Sequence, residues 1–211
     1  MEILPKRFFL ARHAETADNE NGIISGGGSD PDLTEHGRAE CKGLREAISL
    51  LETPPSPVIV TSLKRTQQTA ELMMGHANYI IEPDLKERIL GEGDGVTTEE
   101  QRKARPLGEL AEGEETKQQH AARVIPALNR HLADAEENAP IFVTHVGTIR
   151  RIFESMGMPE LHEIPPAALY ECVNVNGKWK VFELFAGQDQ HKQPKLIRED
   201  ITPQRENGIE I

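Results

Sequence analysis

Short apolar runs alternate along the chain with longer stretches in which apolar residues recur every three or four positions. The runs read as strands and the spaced stretches as amphipathic helices. Arg7 to Arg12 is the first predicted strand. Thr34 to Leu51 is a helix, N-capped by Thr34, with Leu44, Ile48 and Leu51 at spacings of four and three. Thr53-Pro-Pro-Ser-Pro57 breaks it. Val58 to Thr61 is a second strand, too short and apolar for a surface element, and Leu63 to Met74 is a second helix ended by Gly75. Tyr79 to Ile81 is a third strand. Residues 82–115 are charged and Gly-rich, which predicts an irregular, cap-like region with one short helix near Thr98 to Ala104. Thr116 to Ala135 is a long helix with Pro126 as its kink point. Ile141 to Thr144 is a fourth strand, and Thr148 to Met156 a helix. Leu169 to Val175 and Trp179 to Phe185 make a hairpin around Asn176-Gly177. Residues 186–211 are polar and are expected as a C-terminal tail packed on the body.

Strands that alternate with helices imply right-handed crossovers. The expected fold is α/β: a three-layer sandwich with a mostly parallel central sheet flanked by helices. The 211 residues suit a single domain spanning 1–211. In such sheets ligands sit beyond the carboxyl ends of the strands, so functional residues should follow strands directly.

Composition narrows the function classes. With 24 Lys and Arg against 35 Asp and Glu, the formal net charge is −11, the wrong balance for a non-specific nucleic-acid or anionic-membrane binder. No apolar stretch approaches the roughly 20 residues needed to span a bilayer. The Phe8-Phe9-Leu10 run is too short for a signal peptide. Two cysteines, Cys41 and Cys172, make no disulfide framework and fit a reducing, cytoplasmic setting. Neither partners nor oligomeric state follow from these bounds beyond no nucleic acid and no membrane.

Three predicted strands end in chemistry. The first runs into Arg12-His13-Ala-Glu-Thr16, the second into Thr61-Ser-Leu-Lys-Arg65, and the fourth into Thr144-His145-Val-Gly147 at the mouth of a helix. If the strands are neighbours, two arginines and two histidines converge. Such a cluster suits a dianionic phosphoryl group: arginine pairs bidentately with phosphate oxygens, and a helix N-terminus adds backbone donors. A histidine at its centre can act as nucleophile toward phosphorus.

Arg12-His13-Ala14-Glu15-Thr16 with Asn19 resembles the Arg-His-Gly-Glu-Thr…Asn signature of the histidine phosphatase superfamily, whose fold is phosphoglycerate mutase-like. Five further segments follow in the family's order: Ser25-Gly26 with Asp30-Pro-Asp-Leu33-Thr34-Glu-His-Gly37; Thr61-Ser-Leu-Lys-Arg65-Thr-Gln-Gln-Thr69-Ala; Leu85-Lys-Glu87-Arg88…Gly91; Gly113-Glu114 with Arg123; and Thr144-His145-Val-Gly147…Ile149-Arg150. Ala14 and Val146 stand where the family has glycine, each adding a side chain beside the pocket. Gly93-Asp94-Gly95 stands where it has Trp-Glu-Gly.

The resemblance implies the roles. His13 is the nucleophile. Arg12, Arg65 and His145 bind the equatorial oxygens, with Val146 beside them. Glu87 is the general acid and then the base for water. Asn19 and Ser25 lie near the phosphate mouth. No metal or other cofactor is implied, and the partner is a small phosphorylated substrate. The implied function is a metal-independent phosphomonoester hydrolase working through phospho-His13. Two alternatives remain: a phosphoglycerate mutase, disfavoured by the short stretch from Gly95 to Thr116 with only Arg102 and Arg105, and a catalytically silent phosphate-binding domain. Arg102, Lys103 and Arg105 read as a solvated basic helix face, with a contact to an acidic substrate tail as the alternative, and Arg150 and Arg151 as helix surface. His36, His76, His120, His131, His162 and His191 read as exposed.

Overall fold

The computed structural model describes residues 2–104, 109–158, 163–186 and 199–202. Its strands are β1 (Phe8–Arg12), β2 (Val58–Val60), β3 (Ile80–Ile81), β4 (Ile141–Thr144), β5 (Ala168–Val175), β6 (Lys178–Ala186) and β7 (Glu199–Asp200). Its helices are α1 (Ala17–Glu20), α2 (Glu35–Ser49), α3 (Lys64–Met74), α4 (Thr98–Ala104), α5 (Lys117–Asp134) and α6 (Val146–Ser155). The strands form one sheet in the order β3-β2-β4-β1-β5-β6-β7. The β3–β2, β2–β4 and β4–β1 pairings are parallel, whereas β5, β6 and β7 each run antiparallel to the strand before them in the sheet. Only β5 and β7 therefore oppose the common direction.

Alternation along the central strands builds the three layers. Phe8, Leu10, Ile59 and Phe142 face one side, where Val124, Leu128 and Leu132 of α5 and Ile149, Ile152 and Phe153 of α6 close over them. Phe9, Ala11, Val58, Val60, Ile141 and Val143 face the other, against Cys41, Leu44 and Ile48 of α2 and Ala70 and Met73 of α3. Both faces of β1, β2 and β4 are buried, which is why these strands read as continuous apolar runs.

The local chemistry follows the sequence closely. Thr34 and Thr116 cap α2 and α5 by accepting the N–H groups of Gly37 and Gln119. Pro126 lies inside α5 without ending it. Asn176 and Gly177 have φ of 52° and 79°, the pair of positive values that a two-residue hairpin turn between β5 and β6 requires. The last helix begins at Val146 rather than Thr148, because His145 itself is its N-cap residue. Part of the expected tail is a strand: β7 extends the sheet, and Ile201 packs on the core beneath α5 and α6. The remainder of 186–211 beyond β7 and its two following residues lies outside the described residues, as do Arg105, His162 and His191.

Candidate functional site

The sheet register assembles the site. Arg12 pairs with Thr144, and Val60 with Val143, so His13, Thr61 and His145 emerge side by side at the carboxyl ends of β1, β2 and β4. The His13 N–H continues the ladder by donating to the Thr144 carbonyl at 2.9 Å. The two imidazoles lie 5.2 Å apart, centroid to centroid.

Hydrogen bonds define both tautomers. His13 Nδ1 is 2.8 Å from the Ala14 carbonyl oxygen. A carbonyl only accepts, so Nδ1 carries the proton and Nε2 keeps its lone pair. His145 Nδ1 accepts the Arg65 Nε–H at 3.3 Å, so its proton lies on Nε2, which donates to Thr61 Oγ1 at 3.0 Å. Thr61 Oγ1 also accepts the Leu63 N–H and stands 2.9 Å from Thr66 Oγ1, which donates to the Leu63 carbonyl. Burial, reinforced by neighbouring cations, holds His13 and His145 well below the usual histidine range, so both rings are neutral.

The arginines are set by carbonyls. Arg65, 1% exposed, donates through Nη1 to Ser29 O at 2.6 Å and through Nη2 to Gly26 O at 3.0 Å. Arg12 donates through Nη1 to Ile164 O at 2.6 Å, and its buried Nε has no hydrogen-bond partner. Among the described residues, neither guanidinium is in ion-pair contact with a carboxylate. Burial lowers both, Arg12 to about 10. Two desolvated cations beside two neutral imidazoles form a site for a doubly charged anion.

Glu87 closes one side. It follows a short turn at Pro83–Leu85 after β3 and is 6% exposed. Its carboxylate accepts the Arg88 N–H at 2.7 Å and the Gly147 N–H at 2.8 Å. A Cβ on Gly147 would lie 2.2 Å from Glu87 Oε1, so this contact requires glycine. Arg123 of α5 fixes the backbone behind it, donating to the carbonyls of Asp84 (2.7 Å), Lys86 (2.9 Å) and Glu87 (2.9 Å) while pairing with Glu115 at 2.8 Å.

Arg12, His13, Arg65, Glu87 and His145 are thus brought together. Val146 is half-buried at the start of α6 and packs toward the core rather than standing free. Asn19 and Ser25 have local partners: Asn19 Oδ1 accepts the Thr16 N–H and hydroxyl in a capping box, and Ser25 Oγ donates to Asp18. Lys103 is exposed and paired with Glu99, as a solvated helix face should be.

Four residues depart from the sequence expectations. His120 is 0% exposed, not a surface residue: Nε2 is 3.1 Å from Thr148 Oγ1, and burial lowers its pKa to about 4. The signal was its phase, four and eight positions before Val124 and Leu128 on the buried stripe of α5. Arg151 is buried and pairs with Glu154. Arg150 lies close enough to Arg12 to disfavour its charge, so it too belongs to the pocket side of α6. His131 is half-buried against Glu82 at 3.1 Å. Sequence motifs give no role to Thr61 or Asp94, although Thr61 holds His145 and Asp94 holds the Gly26–Ser29 loop. Among the described residues no group of three His, Cys, Asp or Glu could hold a metal ion, and no helix is long and apolar enough to cross a membrane.

The chain was compared with known proteins. Residues 8–189 match the family described as Histidine phosphatase superfamily (branch 1). Phosphoglycerate mutase-like protein 4 of Arabidopsis thaliana is 29% identical over 192 residues, covering 84% of this chain and 79% of that protein. Metal-independent phosphoserine phosphatase of the same plant is 32% identical over 159 residues, covering 68% of this chain and 66% of that protein. The solved structure of a mycobacterial glucosyl-3-phosphoglycerate phosphatase in complex with VO3 superposes with a TM-score of 0.72 at 20% identity, covering 83% of this chain and 97% of that one. Sheet, strand-end cluster and family match agree: the chain belongs to the histidine phosphatase superfamily, branch 1, and is a phosphatase of phosphoglycerate mutase-like fold.

Proposed function

We propose that this chain is a metal-independent phosphomonoester hydrolase working through a phosphohistidine on His13. The observation that carries the reading is the Nδ1 proton of His13 committed to the Ala14 carbonyl, which leaves Nε2 as a lone pair beside two guanidinium groups held by carbonyls and a histidine rather than by carboxylates. In this scheme Nε2 attacks phosphorus while the ester P–O bond breaks. Glu87, protonated, gives its proton to the departing oxygen. Arg12, Arg65 and His145 bind the equatorial oxygens and offset their charge in the transition state. Water then attacks phospho-His13, Glu87 takes its proton, and inorganic phosphate leaves.

The substrate class is a small phosphorylated metabolite. Phosphoserine, which the plant relative's name gives as that protein's substrate, is the first compound to try. Buried, unpaired Cys41 and Cys172 support a cytoplasmic setting, and the family match over residues 8–189 supports a single catalytic domain. The test is rapid-quench labelling with a ³²P-labelled substrate. Wild type should yield acid-labile, base-stable label, and His13→Ala should yield none and no turnover while keeping its circular dichroism. Substantial turnover by His13→Ala would remove the mechanism.

A further inference from the structure

Asp94 follows a tight turn at Gly91–Gly93 and lies among several acidic residues, yet its surroundings set it apart. Its Oδ1 accepts the Gly26 N–H at 2.7 Å and the Ser29 hydroxyl at 2.6 Å. Its Oδ2 accepts the Gly28 N–H at 2.9 Å and the Ser29 N–H at 3.1 Å. One carboxylate thus takes four donors from a single loop. The loop also lies flat on the segment that carries Glu87: the Gly27 N–H donates to Arg88 O at 2.8 Å, and a Cβ on Gly27 would come 2.6 Å from Glu87 O.

The opposite side of the loop holds Arg65. The carbonyls of Gly26 and Ser29, whose N–H groups meet Asp94, are the acceptors of Arg65 Nη2 and Nη1. Neighbouring peptide groups of one short loop therefore meet an anion on one side and a cation on the other, and the loop is fixed between the two charges. Arg65 in turn donates to His145 Nδ1.

We propose that Asp94 is a positioning residue for the phosphatase reaction, holding the Gly26–Ser29 loop so that its carbonyls aim Arg65 and, through it, His145 at the phosphoryl group. This rests on the reading of the site given above. With every lone-pair direction committed to the loop, Asp94 is not the proton donor; it acts through Arg65 on transition-state binding.

The experiment compares Asp94→Asn, Ser29→Ala and wild type by orthovanadate binding in calorimetry and by single-turnover phosphorylation with an alkyl phosphate and p-nitrophenyl phosphate. In Asp94→Asn an amide N–H₂ replaces an acceptor and faces backbone donors. Misplacement on the ångström scale costs about 100-fold in rate, so a 10- to 100-fold loss (~10–100) is expected in kcat/KM and in vanadate affinity, equal for both esters. Ser29→Ala removes one of the four bonds and should shift both readouts the same way by less. In an Arg65→Ala background, Asp94→Asn should weaken vanadate binding no further.

Unchanged vanadate affinity in Asp94→Asn overturns the proposal. So does a loss confined to the alkyl ester, which would make Asp94 the acid, or an undiminished loss in the Arg65→Ala background. Should Asp94→Asn fail to fold, Ser29→Ala decides: weaker vanadate binding supports the role, and unchanged binding overturns it. Calorimetry needs no turnover, so failure of the hydrolase reading would show separately, as wild type that binds vanadate but forms no phosphoenzyme.

Discussion

Glu87 is held from across the pocket by Gly147: the first turn of α6 presents the Gly147 N–H to Glu87 Oε2 at 2.8 Å. The contact links the segment after β3 to the helix after β4, and a side chain at residue 147 would push the Glu87 carboxylate from its present position.

Glu87 is therefore testable twice. Glu87→Gln should slow phosphorylation by an alkyl phosphate by roughly 10²–10⁴-fold, the usual worth of a general acid. It should slow p-nitrophenyl phosphate less, because that leaving group needs no proton. Gly147→Ala, whose Cβ would sit 2.2 Å from Oε1, should displace the carboxylate and reproduce the same leaving-group signature in a folded protein. Burst kinetics must be used, since in the proposed scheme dephosphorylation uses Glu87 with either ester. An unchanged ratio between the two esters in both variants would show that the acid lies elsewhere.

Thr61 fixes the His145 tautomer by accepting its Nε2–H at 3.0 Å. Thr61→Val keeps the shape but leaves a buried donor unmet, at a cost of about 1–3 kcal/mol. The expected outcome is a lower melting temperature together with roughly tenfold or greater loss of kcat, a factor of ten being about 1.4 kcal/mol. Thr61→Ser should restore both. If Thr61→Val melts early but turns over normally, the hydroxyl serves the core and not the site.

Acid should destabilise this protein earlier than its carboxylates require. His13, His120 and His145 all have pKa values lowered by burial, His120 to about 4. Their contribution is full above the ordinary value of 6.5 and is lost as pH falls from there through the folded-state values, because the unfolded chain takes up the protons first. His120 alone contributes about 3 kcal/mol across that window. Glu40, whose buried carboxyl is raised, works in the opposite direction. Thermal unfolding should thus shift downward between pH 7 and pH 5, and His120→Leu should flatten the shift. NMR titration should find all three rings still neutral well below the ordinary histidine range; a ring titrating near 6.5 would contradict the assignment.

Activity should persist in EDTA. In the proposed scheme Arg12 and Arg65 supply the positive charge that a divalent ion supplies in other phosphoryl-transfer sites. Dialysis against chelator followed by assay checks this, and loss of turnover restored by Mg²⁺ or Zn²⁺ would require a different mechanism.

The parts of the molecule legible in sequence are those governed by period and punctuation. The apolar runs at Phe8 to Ala11 and Ile141 to Val143, the caps at Thr34 and Thr116, and the Asn176-Gly177 turn each carry a local signal that the fold obeys. So do the strand-end positions of Arg12, His13 and His145, because parallel register turns sequence adjacency into spatial convergence. What was not legible depends on contacts between distant segments. Nothing near Asp94 announces that it takes four bonds from residues 26–29, and nothing near Thr61 announces His145. His120 differs for another reason: its residue type suggests the surface, while its phase places it on the buried stripe of α5. The short β7, too brief for periodicity, exists because β6 offers it an edge.

Arg65, buried, and Arg12, half-buried, are held by carbonyls rather than carboxylates, and this has a consequence for how the protein lives with its product. Like charges held in a low-dielectric centre weaken the fold until a counter-ion arrives. In the proposed scheme ester, transition state and inorganic phosphate all bring the same dianionic group, so each of them should be a stabilising ligand. Phosphate should raise the melting temperature, and the grip that captures substrate should also delay release of what hydrolysis leaves behind. Heat resistance and turnover are then opposed at one place: a lining that bound the dianion harder would give a hardier complex and a slower enzyme.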